Sequence, residues 1–253
     1  MQDLPVEAAG TIAHELLHTW NGEAFRPTCM ANWDYRRENP CALLWFVEGV
    51  SSYYATVILA RAGILSQDEF LRWISRAVSC HEDQPLRASE SLEEAAVAEW
   101  VRPVENLDYY RGGEVVGFLL DTTIRVRTGG VRSLDDVMRA LYGASRRRGY
   151  RGYGDADLVR TIRAASGLDL GPVLVKWTKE AAEIDYGAVL AGSGLEQYTH
   201  RLDQGGCTNS KGEKQIGASV VAHHGANIAR LAMRSTGIAT RHPPERPRRC
   251  VGS

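Results

Sequence analysis

The chain has 253 residues, a net charge of −1, 44% hydrophobic residues and 24% charged residues. That is the composition of an ordinary globular protein with room for one substantial domain or two small ones. So balanced a charge directs the chain to neither nucleic acid nor a membrane surface, and no run approaches the ~18 apolar residues of a spanning helix.

Residues 1–15 carry neither the basic flank nor the apolar run of a signal peptide. Val6, Ala9, Ile12, Ala13, Leu16 and Leu17 recur at helical spacing and predict a buried helix. On that helix lies His14-Glu15-Leu16-Leu17-His18. Side chains at i and i+4 stack on one helix face, so His14 and His18 are placed to hold one metal ion. Glu15, turned about 100° from His14, is placed to bond a metal-bound water without ligating the metal. A lone match of this kind also arises by chance, as two histidines on a polar helix face. Trp20 reads as core, and Asn21 before Gly22 reads either as a helix stop or as a group orienting the metal-site loop.

A second helix is expected from about Leu43 to Ala62, with Glu48 in its otherwise apolar first half. A carboxylate there needs a partner, because burying an unpaired charge costs several kcal/mol. Zinc bound by His14, His18 and Glu48 would be that partner, with its fourth position open to a water whose pKa falls to near 7. The alternative is an ion pair from Glu48 to Arg36, Arg37 or Arg61. Trp45 reads as core; of Tyr53 and Tyr54, one is expected in the core and the other near a cleft.

Downstream, Ser66 to Glu69 caps a helix from Phe70 to about Ser79, and His81 to Arg87 reads as a loop around Pro85. Short helical turns between Ser89 and Trp100 are broken by Pro103. Asp108 to about Arg127 predicts a long helix stopped by Gly129-Gly130, and Ser133 caps another ending near Tyr142. Ser145 to Tyr153, with Arg146-Arg147-Arg148, reads as a solvated basic loop whose arginines could instead steer a peptide carboxylate. Asp155 to Ala165 and Leu170 to about Ala181 complete a helical layer. Five cysteines (Cys29, Cys41, Cys80, Cys207, Cys250), none in a CxxC pair, predict reduced thiols. From residue 200 the composition shifts to nine Lys or Arg against three Asp or Glu. Val220 to Met233 predicts a short helix there, the rest reads as a poorly ordered basic tail, and His223-His224 lacks a third ligand nearby.

At several separated points the chain resembles the glycyl aminopeptidases of the gluzincin metallopeptidases. The matching segments are His14 to Asn21, Arg26-Pro27, Glu38-Asn39, Leu44 to Tyr54, Tyr109 to Gly113 and Ser133 to Arg139. The broader aminopeptidase N-like enzymes share the HExxH, the Glu-Gly and the Tyr-x-x-Gly segments. The resemblance implies a mainly α, thermolysin-like catalytic lobe over residues 1–199, built on the HExxH helix, followed by the divergent tail 200–253. It implies His14, His18 and Glu48 as zinc ligands, Glu15 as general base, and Tyr109, three residues before Gly112, as donor to the oxyanion. The implied activity is removal of N-terminal residues, small ones such as Gly or Ala, from peptides. An enzyme of broader specificity, or an inert zinc-binding lobe, are the competing expectations. Relatives carry a large portion ahead of the HExxH helix, so the chain is expected to be a fragment of such an enzyme. Nothing fixes the oligomeric state or the compartment, although the sequence as given favours the cytoplasm.

Overall fold

A computed structural model of the chain describes residues 5–100, 106–147, 149, 151–201 and 216–222. Ten helices account for most of them, as the scarcity of period-two alternation predicts. Helix α1 (Val6–His18) packs on α3 (Val50–Arg61), and between them the chain makes a short α2 (Thr28–Ala31) and a widened π turn (Trp45–Gly49). The expected single helix over 43–62 is therefore interrupted, and Glu48 sits in the interruption. Wide turns of this kind are inserted where a helix must re-aim a side chain, and they gather at functional sites.

The buried face of α1 is narrower than its sequence suggests. Gly10, Ala13 and Leu17 are buried, whereas Ile12 is 57% and Leu16 52% exposed. Trp20, expected in the core, is also exposed, while Trp45 is buried as expected. Among the described residues α3 and Trp73 of α4 cover the Gly10 side of α1 and leave Ile12 and Leu16 uncovered.

Helix α4 (Gln67–Glu82) begins with Ser66 and Glu69 in a reciprocal capping box and runs one turn past its expected end, through His81. The predicted 81–87 loop is thus helix up to Glu82, followed by a short 3-10 turn at Pro85–Ala88. Ser91 and Glu94 cap α5 (Leu92–Ala98) in the same way. Pro103 lies outside the described residues.

Helix α6 (Tyr109–Arg127) is the axis of the domain. Asp108 caps it, every residue from Gly112 to Thr122 is buried, and it contacts the π turn, α3, α4 and α5. Two glycines allow the closest contact. A Cβ on Gly113 would lie 2.1 Å from the Trp45 carbonyl oxygen, and one on Gly49 would lie 2.3 Å from the Gly113 Cα. The backbones of α6 and the π turn therefore touch, which no larger residue permits.

Helix α7 (Leu134–Arg147) continues beyond its expected end at Tyr142, so Ser145 to Arg147 are helical rather than loop. The Ser145 hydroxyl donates to the Ala24 carbonyl at 2.7 Å, and the Arg146 guanidinium lies 5.8 Å from the Tyr142 ring centre. Arg148 lies outside the described residues. Helices α8 (Asp155–Ser166), α9 (Gly171–Thr178) and α10 (Tyr186–Leu190) follow.

Two strands end the described structure. β1 (Leu195–Arg201) pairs antiparallel with β2 (Ile216–Ala222), and β2 lies against α4. A strand thus replaces the start of the helix expected at Val220–Met233; Val220 and Val221 are β-branched and favour the extended form. The rest of 200–253, including His223-His224, falls outside the described residues. The reduced-thiol expectation is also corrected. Cys29 and Cys41 are joined in a disulfide with Cα atoms 5.5 Å apart, and Cys80 is disulfide-bonded as well. Folding brought together cysteines whose sequence spacing carried no signature.

Candidate metal centre

The last turn of α1 and the π turn carry three side chains to one point. His14 Nε2 lies 2.9 Å from His18 Nε2 and 3.3 Å from Glu48 Oε2, and His18 Nε2 lies 3.2 Å from Glu48 Oε2. Tetrahedral ligands at zinc's usual bond lengths stand about 3.3 Å apart. The three donor atoms already have the spacing and the N,N,O composition of such a site. The alternative partners of Glu48 are engaged elsewhere: Arg61 bonds Asp135, and Arg36 and Arg37 pair with Asp34.

Charge at this centre is polarised. Hydrogen bonding to Glu48 pushes His18 up to about 9, against its burial. Burial disfavours the Glu48 charge, yet bonds from His14 and His18 hold it at about 2. The carboxylate thus draws positive charge to the point where the three donors meet, and a divalent cation competes with the proton there.

Each imidazole is oriented by its other nitrogen. His18 Nδ1 donates to the Asn21 carbonyl at 2.9 Å. His14 Nδ1 lies 3.3 Å from Ser52 Oγ, which itself donates to the Glu48 carbonyl at 3.0 Å. Ser52 therefore accepts from His14, and both imidazoles turn Nε2 to the centre, where a cation would take the place of the proton that Glu48 draws to His18. Asn21 is fully buried, and its amide donates to the Phe46 and Val47 carbonyls and to Ser51 Oγ at 3.0, 3.1 and 3.2 Å. One residue thus ties the end of α1 to the turn holding Glu48. This resolves the two readings of Asn21: the helix is capped at Thr19, and Asn21 orients the site. Ser52 went unnoticed in the sequence, although its place one turn after Glu48 was a usable signal.

Glu15 is exposed, and its charge adds to the negative field at His18. The two tyrosines at the start of α6 diverge. Tyr109 is buried in the core. Tyr110 is half-exposed and stacks on His14 with ring centres 6.4 Å apart. Its ring centre lies 4.9 Å from that of Tyr109. Burial, with the Glu48 charge behind it, pushes Tyr110 up to about 12, so its proton stays on the oxygen at neutral pH. The paired glycines let the Tyr-x-x-Gly spacing fit in two registers, Tyr109 to Gly112 or Tyr110 to Gly113. Gly113 is the glycine pressed on the π turn, and the second register brings its tyrosine beside His14. Tyr53 and Tyr54 are both buried, donating to Asp121 and Asp135 at 2.7 and 2.9 Å, and neither lines the site.

Residues 7–116 match the family model of the M61 glycyl aminopeptidases. The fold is similar to the crystal structure of an aminopeptidase N family protein from Idiomarina loihiensis, with a TM-score of 0.72 and 20% identity. That alignment covers 79% of this chain and 35% of the other, so the chain spans about a third of the length of its structural relative. No curated protein matches.

Proposed function

We propose, on the premise of the glycyl aminopeptidase resemblance borne out over residues 7–116, that this chain is the metal-binding catalytic lobe of a zinc aminopeptidase. The observation that carries the proposal is the spacing of His14 Nε2, His18 Nε2 and Glu48 Oε2 at 2.9–3.3 Å, with both imidazoles oriented from behind. Zinc in this site supplies Lewis acidity and a water acidified to near neutrality. Glu15 takes the proton from the attacking water and passes it to the departing amine. Stacking of Tyr110 on His14 supports Tyr110, rather than Tyr109, as donor to the carbonyl oxygen as charge develops on it. Tyr109 then acts from behind, fixing the Tyr110 ring. The preference for small N-terminal residues such as Gly or Ala rests on the resemblance alone.

A second reading is a zinc-binding lobe without activity of its own. Metal analysis and hydrolysis of glycine and alanine amides separate the possibilities. Equimolar zinc that is lost in His18→Ala supports the site; a protein that takes up no zinc sinks it. Amide hydrolysis falling at least ~100-fold in Glu15→Gln, with zinc retained, supports the enzyme. Zinc without turnover supports the inert lobe.

A further inference from the structure

Beside the metal centre, a cavity of about 440 Å³ opens between α1, α3, α4 and α6. It shares His14, Ser52 and Tyr110 with the centre, so the cavity opens directly beside the three candidate ligands. Its volume lies in the range of small-ligand sites. One wall is apolar and close-fitting: the Trp73 indole covers Gly10, where a Cβ would stand 3.3 Å from the ring, and Ala55 lies alongside. The other wall is charged. Arg111 is committed to the buried Glu114 at 2.7 Å. Arg76 of α4 is exposed to the cavity and has no ion-pair partner among the described residues. Glu7 stands exposed on the lining as well.

A peptide cut next to its amino end presents two termini of opposite sign. Glu114 neutralises Arg111, and Glu7 offers the cavity its other negative charge, but the forked donors lie with the arginines: a carboxylate is met by the Arg76 guanidinium and the spare donors of Arg111. We propose, building on the aminopeptidase reading, that this cavity receives the leaving side of the substrate. Arg76 binds the free terminal carboxylate there, so the site is selective for short peptides of two or three residues with an unblocked C-terminus.

The test compares glycyl-alanine and glycyl-alanyl-alanine with their C-terminal amides. Binding is read by calorimetry on the full zinc-loaded chain carrying Glu15→Gln, which removes turnover from the measurement, and hydrolysis is read on the unmodified chain. The free acid is expected to bind at least tenfold more tightly than the amide at one or both lengths. Arg76→Ala removes that preference without weakening the amide, Arg76→Lys restores part of it, and in hydrolysis Arg76→Ala raises KM for the acid at constant kcat. The proposal is overturned if acid and amide bind alike, if neither binds, if Arg76→Ala weakens both equally, or if Glu7→Gln alone alters the preference. A chain that keeps the acid preference but hydrolyses neither peptide overturns the enzyme reading and leaves the carboxylate site standing.

Discussion

Ser52 accepts a hydrogen bond from His14 while donating one to the Glu48 carbonyl, so one hydroxyl fixes both an imidazole tautomer and the turn beside it. Groups that orient metal-ligating histidines typically contribute 10–100-fold to metal affinity. Ser52→Ala is expected to weaken zinc binding by about that factor with little loss of fold, measured by competition with a chromogenic chelator. His81, far from solvent, makes a different demand. Its burial, with Arg87 nearby, lowers it to about 4, so the folded state holds it neutral. As pH falls below 6.5 the unfolded chain takes up the proton first. Stability is therefore lost between about 6.5 and 4 and is unaffected above pH 7. That group accounts for about 3 kcal/mol across the window. Urea melts of His81→Gln at pH 7 and pH 4 should show a pH dependence smaller by about that amount; an unchanged dependence would exclude His81 as its source.

At the level of elements, the contact between α6 and the π turn decides where Glu48 sits. Gly113→Ala drives a methyl into the Trp45 carbonyl oxygen, a backbone atom that cannot move without displacing the turn. Overpacking of this kind costs about 3 kcal/mol. The variant is expected to lose both thermal stability and zinc, because Trp45 and Glu48 share the turn. Ser91→Ala, which removes only the cap of α5, should cost about 1 kcal/mol and leave zinc content unchanged. The two variants together distinguish a local loss of packing from a general loss of stability. Sequence reading located α4 by its cap at Ser66 and placed the starts of α6 and α7 at Asp108 and Ser133, each within a residue of where the helix begins. It missed the π turn because an inserted residue in an apolar run leaves the helical periodicity almost intact.

Across the whole molecule, α3, α6 and α7 are joined by buried charge. Asp121 accepts from the Tyr53 hydroxyl at 2.7 Å, from Arg125 Nε at 2.9 Å and from the Leu134 amide at 2.8 Å. Asp135 takes the Tyr54 hydroxyl and the Arg61 guanidinium. Breaking one partner of such a network leaves the other charged and desolvated, at a cost of about 3–5 kcal/mol. Asp121→Ala should lower the urea midpoint accordingly, and a loss below about 1 kcal/mol would show the network to be dispensable. In the sequence these residues are scattered aspartates, arginines and tyrosines, and only the packing of three helices makes them one unit.

The sequence by itself determined which residues are the candidates for a metal centre. His14, Glu15, His18 and Glu48 could be read as one group because helical spacing fixes two of them and an unpartnered carboxylate in an apolar run demands a third. It also determined the helical class, since period and caps are local properties of the chain. Tertiary structure decided everything that depends on which backbones touch. The contact of Gly113 with the π turn sets the register that brings Tyr110 to His14, and the packing of α3 leaves Ile12 and Leu16 outside. The meeting of α1, α3, α4 and α6 makes a cavity from residues up to 107 positions apart, Glu7 to Glu114. Those contacts are non-local, and side-chain spacing along a chain carries no record of them.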